Sequence, residues 1–188
     1  RDPALAGAIR LLRNFGIAGE EEVRGVGLNG KLSELHAALG LSLLGAVTDE
    51  ITAREQLTAR YDAVLSGIEG IGFQAFAPKV DRNFGSYVIE VDAGGFGLTR
   101  DELHAALRAE GIVTRKYFWP LCSENRAYRD LPSASPGHLP VAERLAARVL
   151  SLPLHGDLPA AEVEAIAACI AGLQAEAPRI RAALAGRL

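Results

Sequence analysis

The sequence predicts an α+β fold in which helices dominate and the strands form one small, mostly antiparallel sheet covered by helices. Three observations lead there. Apolar residues recur at three- and four-residue gaps from Leu32 to Ile68. Two β-rich runs, Gly72–Phe76 and Ser86–Val91, lie close enough to pair as a hairpin. After them, helix signals alternate with short apolar runs.

The elements follow in order. Leu5, Ile9 and Leu12 mark a first helix. A glycine-flanked turn, Gly27-Leu28-Asn29-Gly30-Lys31, leads into a long amphipathic helix predicted from Ser33 to Ser66, with Gly67 as its C′ glycine. At about 50 Å that helix exceeds the usual length, so it bends or bridges two lobes. Pro78, Asp81 and Asn83 permit the hairpin loop. The best-marked helix start has Thr99 as N-cap, Glu102 as capping-box partner, and Leu98 and Leu103 as a hydrophobic staple. That helix ends before Gly111. A third strand is expected over Ile112–Phe118, stopped by Pro120. Pro140 opens another helix at a position where its missing N–H costs nothing. Val149–Leu154 reads as a short strand bounded by Pro153. The last strong helix starts near Pro159 and carries Val163, Ile166, Ile170 and Leu173 on one face, and the tail after Pro178 reads as one more helix.

Composition narrows the function. The 188 residues carry a net charge of −3 with no dense Lys/Arg run, which argues against nucleic acid as partner. No apolar run approaches the roughly 20 residues that span a bilayer, and no signal peptide is visible. Cys122 and Cys169 are far apart and form no metal-type pair; both read as reduced, and the compartment as cytoplasmic. His36, His104, His138 and His155 show no metal-ligand spacing, so no metal site is expected. The sequence contains no methionine, which reads as a chain processed from, or cut out of, something longer.

Two clusters could carry chemistry. In the first, Asn29 offers an amide and Lys31 an ammonium beside backbone that glycine leaves open to close approach. Ahead of a helix N-terminus this reads as a phosphate seat, although spacing alone favours a plain helix-entry loop with solvated side chains, since glycine-rich turns before helices are common. The second is Thr114-Arg115-Lys116-Tyr117-Phe118-Trp119-Pro120-Leu121. Its cations suit phosphate oxygens and its aromatics a sugar or base face. A protected edge strand explains the same residues. Strand alternation would put Arg115 and Tyr117 on one face, Lys116 and Phe118 on the other.

These pieces in this order resemble the C-terminal half of the DegT-type nucleotide-sugar aminotransferases, pyridoxal-phosphate enzymes of the aspartate-aminotransferase fold. The matching stretches are 9–16, 27–41 (GLNGKLSELHAALGL), 54–61, 115–121 (RKYFWPL) and 149–154. The RKYFWPL stretch looks most like members that aminate C3 of a dTDP-linked keto-6-deoxyhexose. The resemblance implies the small C-terminal lobe of that fold. Residues 1–31 would end the large-domain segment and supply the cofactor-facing turn, 32–68 would form the long interdomain helix, and 69–188 the small domain. It implies that Asn29 reaches the cofactor phosphate of the partner subunit in a homodimer. Lys31 would lie near the phosphate and substrate mouth, and Lys116, Tyr117 and Phe118 would border the pocket of a nucleotide-linked keto sugar, with glutamate as amino donor. Many members have a histidine where this chain has Cys122, so no role passes to that position.

The family's Schiff-base lysine lies upstream of residue 1, and Lys31, Lys79 and Lys116 do not stand in its pattern. The resemblance therefore implies a chain without catalytic residues of its own, inactive apart from a missing N-terminal large domain. A non-catalytic binding or assembly module that kept the small-domain fold is the alternative.

Overall fold

The computed structural model describes residues 2–185. The chain divides into two units, Arg1–Val47 and Thr48–Leu188.

In the first unit, Asp2 caps helix α1 (Pro3–Arg13): its carboxylate accepts from the N–H groups of Ala4 and Leu5, and Pro3 fills the first helical position. The chain reverses through Phe15 and Gly16, both at positive φ (61° and 78°). A small hairpin that periodicity did not predict follows, β1 (Ile17–Gly19) with β2 (Glu22–Val23). Ser33 caps helix α2 (Glu34–Leu44) by accepting from the N–H of His36. Among the described residues of this unit only Gly16 is buried. Leu35, Leu39, Leu41, Leu43 and Leu44 are all exposed, so α2 is apolar on every side instead of carrying one stripe.

The expected single helix from Ser33 to Ser66 is two helices, α2 and α3 (Val47–Leu65). Gly45 is a weak helix former, and at Ala46 the N–H bonds back three residues to Leu43, the tightened pattern of a helix end. The buried positions of α3 are Leu57, Thr58, Tyr61 and Leu65, while Val64, which the three- and four-residue spacing would include in the apolar stripe, is exposed. Nor is Gly67 the left-handed residue beyond α3. Gly70 is, at φ 80°, where an added Cβ would overlap the backbone of Phe96 and Gly95.

The second unit is built on an antiparallel sheet in the order β3 (Ile71–Phe73), β4 (Tyr87–Val91), β5 (Val149–Leu152). Gly72 faces Glu90 and Ile89 faces Leu150. Along β4, Tyr87, Ile89 and Val91 are buried and alternate with half-buried Val88 and Glu90, as the two-residue period of a strand requires. The buried face meets α3, α5 (Arg100–Ala109) and α7 (Ala160–Ala175) through Tyr61, Leu65, Leu103, Leu107, Val163 and Ile170. Each large side chain so buried stabilises the unit by about 1.5–3 kcal/mol. Tyr61 stacks on Tyr87 with centroids 4.6 Å apart. Their hydroxyls donate to the Pro153 carbonyl (3.0 Å) and the Asp62 carboxylate (2.7 Å), and burial raises both phenol pKa values. Short helix α4 (Ala93–Phe96), α6 (Pro140–Arg148) and α8 (Ala177–Leu184) complete the unit.

The Thr99 capping box forms as expected, with Leu98 and Leu103 fully buried beside it. The third strand does not. Of Ile112–Phe118 only Arg115 pairs, in an isolated bridge to Ser151, before the chain turns at Tyr117–Phe118.

Candidate functional site

The glycine turn of the first unit closes on α1. The N–H of Leu28 donates to the Leu12 carbonyl and that of Gly30 to the Arg13 carbonyl, both at 2.9 Å, while Phe15 N–H donates back to Leu28 at 3.1 Å. A Cβ on Gly27 would overlap the backbone of Gly16 and Leu12, so glycine is needed for backbone to lie on backbone. This corrects one expectation. The Leu28 and Gly30 amides do not point outward toward an anion; they satisfy the carbonyls at the end of α1. What the turn presents is side chains. Asn29, bridged to Asn14 through the backbone, is exposed, and so is Lys31, whose Nζ sits 4.9 Å from the Phe15 ring centroid.

In the second unit the Arg115–Leu121 segment departs from strand alternation. Lys116 turns to α5, its Nζ 2.5 Å from Asp101 Oδ1 and 5.4 Å from the Trp119 ring centroid. Buried Arg100 donates to the same Asp101 oxygen at 2.9 Å and to the Val149 carbonyl at 3.1 Å. Burial works against the Asp101 carboxylate, but Lys116 and Arg100 outweigh it and hold its pKa below the ordinary range. Tyr117 stacks on Phe118 with centroids 4.7 Å apart, leaving Phe118 77% exposed as an open ring face.

Arg115 and Tyr117 point together into a cavity of about 330 Å³. Arg115 Nη1 donates to the Tyr117 hydroxyl at 2.7 Å. Ser86 and His155 face the same space, and Val113, Leu152 and Leu154 supply apolar wall. Of the expected substrate-side residues, then, Tyr117 reaches this cavity and Lys116 and Phe118 do not line it. Arg115 and His155 do, although no spacing in the sequence marks His155 for a site.

Glu50 on α3 pins the turn beyond that wall. Its carboxylate accepts from the N–H of Gly156 at 2.9 Å and pairs with Arg54 at 2.6 Å. A Cβ on Gly156 would occupy the carboxylate's place. The Gly156 N–H first, and Arg54 second, lower the Glu50 pKa. Glu50 and Gly156 are 106 residues apart, and no local signal links them. Cys122 is exposed on a 3-10 turn (Cys122–Glu124); Cys169 is half-buried on α7, where burial raises its thiol pKa. Among the described residues, no three His, Cys, Asp or Glu side chains gather to hold a metal ion, and no helix is long and apolar enough to cross a membrane.

Residues 1–171 match the family model described as the DegT/DnrJ/EryC1/StrS aminotransferase family. The chain is 40% identical over 147 residues to a dTDP-4-amino-4,6-dideoxy-D-glucose transaminase of Escherichia coli, covering 78% of this chain and 39% of that protein. It is 34% identical over 154 residues to a dTDP-3-amino-3,4,6-trideoxy-alpha-D-glucose transaminase of Streptomyces venezuelae, covering 81% and 38%. Among solved structures, DesI in the presence of its TDP-sugar product superposes with a TM-score of 0.81 at 35% identity, covering 98% of this chain and 45% of that one. S. venezuelae DesV superposes with a TM-score of 0.82 at 30% identity, covering 92% and 45%. The chain thus spans about two fifths of the length of the curated relatives it matches.

Proposed function

The chain belongs to the DegT/DnrJ/EryC1/StrS aminotransferase family, and from that premise we propose that it is the C-terminal part of a pyridoxal-phosphate-dependent enzyme that moves an amino group from glutamate to a nucleotide-linked keto sugar. The supporting observation is that the match runs through both the Asn29 turn and the Arg115–Leu121 segment. The two curated relatives named above carry their amine at C4 and at C3 in their names.

The side chains of the Asn29 turn fit the cofactor's phosphate. An exposed amide and an exposed ammonium stand on backbone fixed to α1, offering neutral and charged donors to phosphate oxygens. Asn29 would hold the phosphate of the partner subunit's cofactor in a homodimer, with Lys31 at the mouth of the same site. When bound, pyridoxal phosphate supplies the aldehyde and the electron-withdrawing ring that carry the amine between donor and acceptor. Phe118 would offer its open face to the nucleotide-linked sugar and Tyr117 its hydroxyl. Lys116, engaged by Asp101, would act by fixing this segment to α5.

The Schiff-base lysine and the large domain would lie upstream, and the enzyme would work in the cytoplasm. The test uses two proteins. Mixed with pyridoxal phosphate and borohydride, the 188-residue chain should trap no stoichiometric adduct on a lysine. The product of the complete coding region should trap one, and should aminate a dTDP-linked keto sugar with glutamate as donor. A single trapped lysine in the short chain, or no amination by the complete product, overturns the reading.

A further inference from the structure

A second hollow lies behind the wall of the Arg115–Tyr117 cavity. It measures about 500 Å³ and opens between the end of α5, the turn after β5, and α7. Its floor is apolar: Leu158 and Ile166 are buried, and Ile112 and Cys169 are half-buried. Two exposed carboxylates line it, Glu110 just past the end of α5 and Glu162 in the first turn of α7, and no lysine or arginine does. Neither glutamate meets a Lys or Arg among the described residues, whereas Glu50, Glu90, Glu102 and Glu164 each meet an arginine. The charge of Glu110 is felt at the floor. After burial, it is what raises the Cys169 thiol pKa.

We propose that this hollow binds a small organic cation, a protonated amine on an apolar body, with the ammonium drawn to Glu110 and Glu162 and the body against Ile112, Leu158 and Ile166. Three features favour that class. An apolar floor under unpaired negative charge attracts a ligand that is itself apolar at one end and positive at the other, and repels anions. A bare metal ion is a poor match: calcium and magnesium want about six or more oxygen ligands, and among the described residues no three His, Cys, Asp or Glu side chains gather to hold one. The volume, about 500 Å³, lies within the ~300–1,000 Å³ typical of small-molecule sites. Neither Glu110 nor Glu162 is assigned to cofactor or sugar, so the site goes beyond the aminotransferase reading and does not depend on it. Val113, Pro153 and His155 line both this hollow and the Arg115–Tyr117 cavity, so an occupant would press on the back of that cavity's wall.

The probe is cyclohexylmethylamine, whose amine is protonated at pH 7. It is titrated into the 188-residue chain, and into the product of the complete coding region, and followed by amide NMR. Cyclohexylmethanol, cyclohexanecarboxylate and calcium chloride are titrated in parallel. The amine should shift the amides of Gly111, Ile166 and Cys169 in both proteins. The alcohol should bind about threefold more weakly or worse, the carboxylate more weakly still, and calcium should leave those amides in place. Glu110→Gln and Glu162→Gln should each weaken the amine about two- to threefold, the scale of a partly exposed charge pair, and together about fivefold. High salt should narrow the gap between amine and alcohol. Glu55→Gln, an equal loss of charge at an exposed site on α3 outside the hollow, should bind as the parent does. The proposal is overturned if the amine shifts none of these amides in either protein, or if the alcohol or the carboxylate binds as tightly as the amine. It is overturned equally if calcium moves the same amides, if the double variant binds the amine unchanged, or if Glu55→Gln weakens it as much. No arm measures amino transfer, so failure here leaves the aminotransferase reading standing, and failure of that reading leaves this site standing.

Discussion

Thr114 Oγ1 lies 2.6 Å from His104 Nδ1. This one bond, with Lys116–Asp101 two residues on, ties the segment leading to Arg115 onto α5. Thr114 is 5% exposed, so the pair sits where losing a partner costs free energy. The imidazole is pushed toward its neutral form by burial first, then by Lys116 and Arg108, with Asp101 opposing.

Stability should therefore depend on pH through His104. In the unfolded chain the ring takes its proton near the ordinary value of 6.5; in the folded chain it does so only at lower pH. Between the two values the unfolded chain binds more protons, so stability is fully present above 6.5 and is lost as pH falls through the folded value. Urea denaturation from pH 5 to 8 should show this loss in the parent chain. His104→Gln should lack that component, so that it stands out as the difference between the two profiles. Lys116→Gln should shrink it, because the ring then takes its proton more readily. Thr114→Val should lower stability by about 1 kcal/mol at pH 7. A difference profile flat across this range would show that His104 does not titrate between the two states.

Gly70 and Gly67 give a paired test of how the chain leaves α3. Gly70 holds φ 80°, and a Cβ there would overlap Phe96 and Gly95 backbone that cannot swing aside. Gly70→Ala should cost well over the ~1 kcal/mol usual for left-handed positions. A Cβ on Gly67 would meet only the Val64 carbonyl at 3.8 Å, an ordinary contact. Gly67→Ala should leave stability within about 0.5 kcal/mol. Equal losses in the two variants, read as urea midpoints, would contradict the assignment of the turn to Gly70.

These residues also show what the sequence could and could not disclose. Thr99 and Glu102 were legible because a capping box is closed within four residues and needs no partner elsewhere. The hairpin of β3 and β4 was legible from its β-rich runs. The strand expected over Ile112–Phe118 failed because a strand exists only by its ladder, and of that segment only Arg115 pairs, in a single bridge to Ser151. The helix break at Gly45–Ala46 was missed because its apolar periodicity continues across the turn. Of the candidate site residues, Asn29 in the first unit and Tyr117 in the second stood out by residue type. Their surroundings did not: Arg115 meets Ser151, and Glu50 meets Gly156, only after the chain has folded.

Thr58 supports a prediction in the stabilising direction. It is 4% exposed on α3, and its hydroxyl has no hydrogen-bond partner among the described residues. A hydroxyl so placed has lost its water and gained nothing in return. Thr58→Val keeps the branched shape while removing the polar atom, so the chain should be as stable as the parent or more stable by up to about 1–2 kcal/mol. Thr58→Ala, which also removes a packed methyl, should fall below Thr58→Val by about 1 kcal/mol. Urea midpoints of the three proteins decide it. A loss of more than about 1 kcal/mol in Thr58→Val would mean the hydroxyl has a partner in solution, and the small hollow it shares with Asp62 and Tyr87 is where a bridging water would then have to lie.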